Sequence, residues 1–111
     1  MRRAVILVFG AILAVMLYVT VTASLAEGVF AAGGRLMAEP WFRATLADAY
    51  SGFIAVYVWI AWRERSVAAR LVWFVLLMTL GNIAIAAYFL MALLREGSGS
   101  GIDVLFQRRA A

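Results

Sequence analysis

Along the chain, charged residues fall in short clusters separated by long apolar runs. Ala4 to Ala26 is 23 residues without a charge, opened by Arg2 and Arg3 and closed by Glu27. Ala44 to Trp62 carries one charge, Asp48, and stops at Arg63-Glu64-Arg65. Leu71 to Leu94 is 24 residues, again uncharged, and ends at Arg95-Glu96. A helix of about 20 apolar residues crosses a hydrocarbon core of roughly 30 Å. The pattern therefore predicts an all-α integral membrane protein with three transmembrane helices, approximately residues 4–26, 43–62 and 69–94. The first run has a rival reading as a signal peptide, because Ser24-Leu25-Ala26 resembles a small-x-small cleavage site. It is longer than an h-region of roughly 7 to 15 residues, which favours a span.

The segments between the runs are of different kinds. Glu27 to Arg43 mixes Gly28, Gly33 and Gly34 with four charges and with Phe30, Trp41 and Phe42. Such a mixture prefers the membrane interface, and Pro40 suits the first turn of helix 2, where its missing N–H costs nothing. Residues 1–96 form one domain on this reading. Gly97-Ser98-Gly99-Ser100-Gly101 then reads as a flexible linker opening a C-terminal tail, residues 97–111. Asp103-Val104-Leu105-Phe106-Gln107 resembles an engineered viral-protease cleavage sequence. Arg108 and Arg109 follow it instead of the Gly-Pro of such spacers, so a native tail is preferred. The tail carries no functional argument either way.

Composition agrees with the runs: 67% of the 111 residues are hydrophobic and 14% are charged, outside the range of soluble domains. Cys and His are both absent, which removes disulfides, thiolate nucleophiles, imidazole bases and the usual zinc sites together. No metal or cofactor is expected. All ten basic residues are arginines, and the net charge of +4 sits beside the spans, where anionic lipid explains it better than nucleic acid.

The arginines also orient the chain. With the N-terminus in the cytoplasm of a bacterium and the spans in its inner membrane, Arg2, Arg3, Arg63, Arg65 and Arg70 lie inside. Arg35, Arg43 and Arg95 then lie outside, and adding Arg108 and Arg109 makes the tally five against five. Juxtamembrane charges dominate topology, so N-in and C-out is the expected orientation. Trp59, Trp62 and Trp73 would anchor the inner interface and Trp41 the outer one.

Few residues can carry chemistry. Asp48 stands about one and a half turns inside the lipid boundary, where an unpaired carboxylate is costly. It is either a proton or cation ligand or, the preferred reading, a helix-start acid paired with Arg43, Arg35 or Arg95. Thr45, three residues ahead of it, resembles a capping box. Asn82 falls at the middle of the third span and requires a partner such as Thr20, Ser51 or a backbone carbonyl, which would fix helix register. Gly10 and Ala14, Gly52, and Gly81 permit close helix approach. Thr20, Thr22, Ser24, Glu27, Asp48, Tyr50, Ser51 and Tyr88 all fall in the outer half, as a shallow polar pocket or a hydrogen-bonded seam. No nucleophile with a base, phosphate loop or pair of intramembrane acids is present, so the chain does not read as an enzyme.

Pro40-Trp41-Phe42-Arg43-Ala44-Thr45-Leu46-Ala47-Asp48-Ala49-Tyr50, Trp59 to Ser66 and Gly81-Asn82-Ile83-Ala84 resemble a family of small uncharacterised membrane proteins of bacteria and plants. The likeness covers roughly residues 38 to 92. It implies topology and points at Thr45, Asp48, Tyr50 and Asn82 without giving them a role. The favoured function is a non-enzymatic accessory or assembly subunit whose partners are the lipid bilayer and other membrane subunits, or copies of itself. The alternative is a small oligomeric transporter or channel using Asp48 and the outer polar residues. A lipid- or pigment-binding helper, suggested by seven Phe, four Trp and four Tyr, ranks last.

Overall fold

A computed structural model of the chain describes residues 1–96 and 101–109. Most of the described residues are helical, in the order α1 (Arg2–Ala26), α2 (Val29–Leu36), α3 (Pro40–Arg63), α4 (Val67–Leu80) and α5 (Asn82–Met91). A π-helical turn, Ala92–Glu96, and a 3-10 turn, Asp103–Phe106, complete it. Residues 97–100 of the expected linker lie outside the described residues.

Two helices, α1 and α3, are long and apolar enough to cross a membrane. Pro40 occupies the first turn of α3, as its fixed φ and missing donor predict. The expected third span is not one helix. The uncharged run breaks at Gly81, whose φ of 57° and ψ of −122° suit a residue without a Cβ. In a continuous helix, Trp73 and Tyr88 would stand about 22 Å apart. Their ring centroids are 4.8 Å apart instead, so the chain folds back on itself. The first arm, α4, has 14 residues, a length of about 21 Å, which is short of a bilayer core. Ser66 caps its start by accepting a hydrogen bond from the Ala69 amide, a contact that stabilises a helix by about 1 kcal/mol.

The hairpin of α4 and α5 leans on α3, with α4 antiparallel to it. The Tyr57 hydroxyl donates to the Arg70 carbonyl and the Tyr50 hydroxyl to the Met78 carbonyl, each at 2.8 Å. Phe53 lies against Gly81 at the tip. α1 runs antiparallel to α5: Phe9 stacks on Phe89 at 4.1 Å, and Arg2 donates twice to the Leu93 carbonyl. The core of Ile60, Leu77, Ala84, Ile85 and Tyr88 is thus built where α3, α4 and α5 meet.

This reversal brings the N-terminal residues and Ile102–Arg109 to one end of the helices. Arg2 and Arg3 begin α1 beside Leu93, while Arg63, Arg65 and Arg70 surround the α3–α4 turn. Arg95 lies in the π-helical turn, and Arg108 and Arg109 bond to the Trp62 carbonyl and to Glu64. Eight of the ten arginines therefore share one end, and Arg35 and Arg43 occupy the other. The N-terminal residues and Ile102–Arg109 thus lie at the same end of the helices, whereas three full passes would separate them. Nor is Ile102–Arg109 a loose tail, because Leu105 is buried against Trp59, Ala92 and Leu93.

Candidate functional site

The polar groups with the most contacts lie at the arginine-rich end. Arg63 closes α3 and Glu64 follows it, and both side chains are almost fully buried. The Arg63 guanidinium donates to the Tyr88 hydroxyl at 2.8 Å, to Glu96 Oε1 at 3.0 Å and to the Gln107 carbonyl at 3.0 Å. It also stands 5.5 Å from the ring centroids of Trp59 and Tyr88, within cation–π range. The Tyr88 hydroxyl donates in turn to Glu64 Oε2 at 2.6 Å. Glu64 Oε1 accepts from Arg109 at 2.9 Å, and its backbone carbonyl accepts from Arg70.

Two guanidiniums and two carboxylates balance in this cluster, which is why so much charge can be buried at once. Burial opposes the charged form of Arg109, but the adjacent Glu64 and Glu96 carboxylates outweigh it and hold its pKa above the ordinary arginine value. Glu96 Oε2 is a buried oxygen without a partner among the described residues. The cluster ties together α3, α5, the π-helical turn and the tail. Nearly every donor and acceptor in it is occupied, so the arrangement works as a latch. Among the described residues no group of three or more His, Cys, Asp or Glu could hold a metal ion.

Several expected roles change. Tyr88 belongs to this cluster and not to an outer polar pocket, because the reversal at Gly81 returns it to the arginine-rich end. Trp59 and Trp73 are half-buried and pack around Tyr88 and Phe89. Trp59 Nε1 donates to the Leu105 carbonyl at 2.9 Å, docking the tail. Trp41 and Trp62 are exposed.

The sequence-singled residues of α3 do not assemble into a site. Asp48 is exposed and forms no ion pair among the described residues. Of its expected partners, Arg35 pairs with Glu27 at 2.7 Å, Arg95 lies at the far end, and Arg43 is exposed without a contact to it. Thr45 is no capping residue: Glu39 precedes the helix, and the Thr45 hydroxyl donates back to the Trp41 carbonyl. Tyr50 joins α3 to α4 through Met78. Asn82 stands exposed at the hairpin tip as the first residue of α5, and its side chain bonds neither Thr20 nor Ser51. Gly10 and Gly52 face open space, whereas Gly81 is the glycine at which a close approach occurs.

Sequence reasoning passed over the Arg63–Glu64–Tyr88–Glu96–Arg109 cluster because Arg63-Glu64-Arg65 reads as an ordinary span exit. The partners Tyr88, Glu96 and Arg109 lie 24 or more residues from Arg63 and Glu64, so no local pattern joins them. No curated protein and no solved structure matches the chain. A family model described as a protein of unknown function (DUF1475) matches residues 1–110, through the docked tail and well beyond the stretch from 38 to 92. The chain belongs to that family, DUF1475.

Proposed function

We propose that this protein is a non-enzymatic accessory subunit of a larger bacterial inner-membrane complex. α1 and α3 cross the bilayer, and α4 with α5 enters and leaves it from one side. The end with eight arginines faces the cytoplasm, in accord with the positive-inside rule, and both the N-terminal residues and the docked tail lie there. α2 and Trp41 lie at the outer interface.

Asp48 is the observation that carries the subunit reading. It lies on α3 about 22 Å from Arg63 along the helix axis, so it falls within the outer leaflet, and it is exposed without an ion-pair partner among the described residues. A lipid-facing carboxylate deep in a span costs about 2.5 to 3.5 kcal/mol on insertion scales, and a shallow one less. A partner helix that brings a cation or hydrogen-bond donor to this face removes that cost. Gly52, one turn away with nothing near it, leaves room for such a helix. The test is purification from native membranes in mild detergent followed by mass spectrometry. A second membrane protein should be recovered at a fixed ratio, and recovery of this chain alone would overturn the reading.

A small oligomeric channel or transporter is the second reading. It is favoured by the broken helix at Gly81–Asn82, because interrupted helices at membrane depth occur where backbone lines a cavity or is buried in protein. Flux in liposomes separates the two. An Asp48→Asn variant that assembles normally and still conducts would exclude Asp48 from any pathway.

A further inference from the structure

A cavity of about 390 Å³ opens along α3, lined by Ala55, Val56, Trp59, Phe89, Leu105 and Phe106. Its volume lies within the roughly 300 to 1,000 Å³ of small-molecule sites. Three elements build it: one face of α3, the end of α5, and the 3-10 turn of the tail. Trp59 forms its inner wall, fixed by stacking on Phe89 and by the bond to the Leu105 carbonyl. Phe106, 72% exposed, stands at its edge. The lining has no charged side chain, so the occupant within the groove is apolar.

The setting narrows that occupant. The groove begins beside Trp59, one turn from Arg63, and reaches Ala55, about 12 Å along the helix from the charged end. Its α3 lining, Ala55, Val56 and Trp59, thus lies on the last turns of that helix before the arginine-rich end. Arg108 follows the lining residue Phe106 by two positions, and its Nε donates at 2.8 Å to the carbonyl of Trp62, which lies between Trp59 and Arg63 on α3. Its two terminal nitrogens make no hydrogen bond among the described residues. Around it this end holds eight arginines against Glu64, Glu96 and Asp103, an excess of five positive charges. The opposite end has the reverse balance, with Arg35 and Arg43 against Glu27, Glu39 and Asp48.

We infer that the groove is a binding site for an anionic phospholipid of the surrounding bilayer, one acyl chain against Trp59 and Phe106 and the phosphate at Arg108. An apolar slot with a nearby guanidinium whose terminal nitrogens make no hydrogen bond among the described residues matches the two halves of such a molecule. A zwitterionic lipid supplies the chain but cancels the attraction of the basic rim. The site rests on the membrane reading but not on Asp48 or on any protein partner.

The experiment is native mass spectrometry of the delipidated full chain titrated with phosphatidylglycerol and, separately, phosphatidylcholine of matched chains. The wild type should retain phosphatidylglycerol preferentially. Arg108→Gln should weaken that retention roughly fivefold, the worth of one basic residue at an anionic surface. Ala55→Phe should fill the groove and displace both lipids. If Ala55→Phe fails to fold, Phe106→Ser opens the exposed wall and should reduce retention of both. Equal retention of the two lipids by the wild type overturns the proposal. So does wild-type retention of phosphatidylglycerol by Arg108→Gln together with a folded groove variant. A chain recovered only in the soluble fraction would instead remove the membrane reading itself.

Discussion

Phe53 occupies the space in which any side chain at residue 81 would have to stand. A Cβ placed on Gly81 would lie 2.6 Å from the Phe53 Cζ, on a backbone with φ of +57°. The tip of the α4–α5 hairpin is therefore defined twice over, by a dihedral combination that L side chains rarely adopt and by an aromatic ring seated on the turn. The break at Gly81 separates this fold from one with a single continuous third helix. The reversal returns Tyr88 to Arg63 and Glu64, sets α5 against α1, and brings the tail to the end of the molecule where α3 stops.

Gly81→Ala should destabilise the detergent-solubilised protein, by about 1 to 3 kcal/mol from backbone strain alone. A further loss comes from the clash with Phe53. Adding Phe53→Leu should recover the steric part and leave the strain, and thermal unfolding followed by circular dichroism measures both steps. Equal stability of Gly81→Ala and wild type would show that the hairpin tip is not built on this glycine.

Because the chain has no cysteine, single cysteines report topology without background. Cysteines at Gly33, Ser66 and Gly101 should label from the outside, the inside and the inside, respectively, with a membrane-impermeant maleimide on intact cells and on inverted vesicles. Three complete spans would place Ser66 and Gly101 on opposite sides, so labelling of those two from different faces would refute the hairpin topology.

Arg63→Met should cost about 3 to 5 kcal/mol, since it removes the buried cation that bonds the Tyr88 hydroxyl and Glu96 and leaves two carboxylates to Arg109 alone. Arg109→Ala should cost about 1 kcal/mol or less, because that guanidinium is 41% exposed and solvent screens its pairing with Glu64. Salt separates them further: melting in high ionic strength should shrink the Arg109 effect and leave most of the Arg63 effect. Two variants of equal cost would contradict the burial difference between the residues.

Asp48→Asn should leave the isolated chain within about 0.5 kcal/mol of wild type, as expected of an exposed position without an internal ion pair. In native membranes the same variant should lower the yield of the co-purified partner. A large loss of stability in the isolated protein would mean that Asp48 has an internal partner after all.

Hydropathy is a local property, so the helical, apolar character of the chain and the extents of α1 and α3 could be read directly. Charge-free runs that end at arginine clusters leave few alternatives for such segments. Pro40 marked the start of α3 for an equally local reason, the geometry of its own ring. Asp48 was readable as an energetic problem, but not as one left unsolved within the chain.

What local sequence could not decide was the path of the third run. Gly81 sits in a stretch as apolar as a true span, and glycine is common in membrane helices that continue straight through it. The reversal is held by contacts with residues far away in sequence, Phe53 at Gly81, Tyr50 at Met78 and Tyr57 at Arg70. The same separation hid the latch, since Tyr88 and Glu64 stand 24 residues apart and Arg109 and Glu64 stand 45 apart. The sequence by itself determined the apolar helices and the arginines that bound them. The tertiary structure decided which ends meet, because burying charge requires opposite charges from distant segments to arrive at one place.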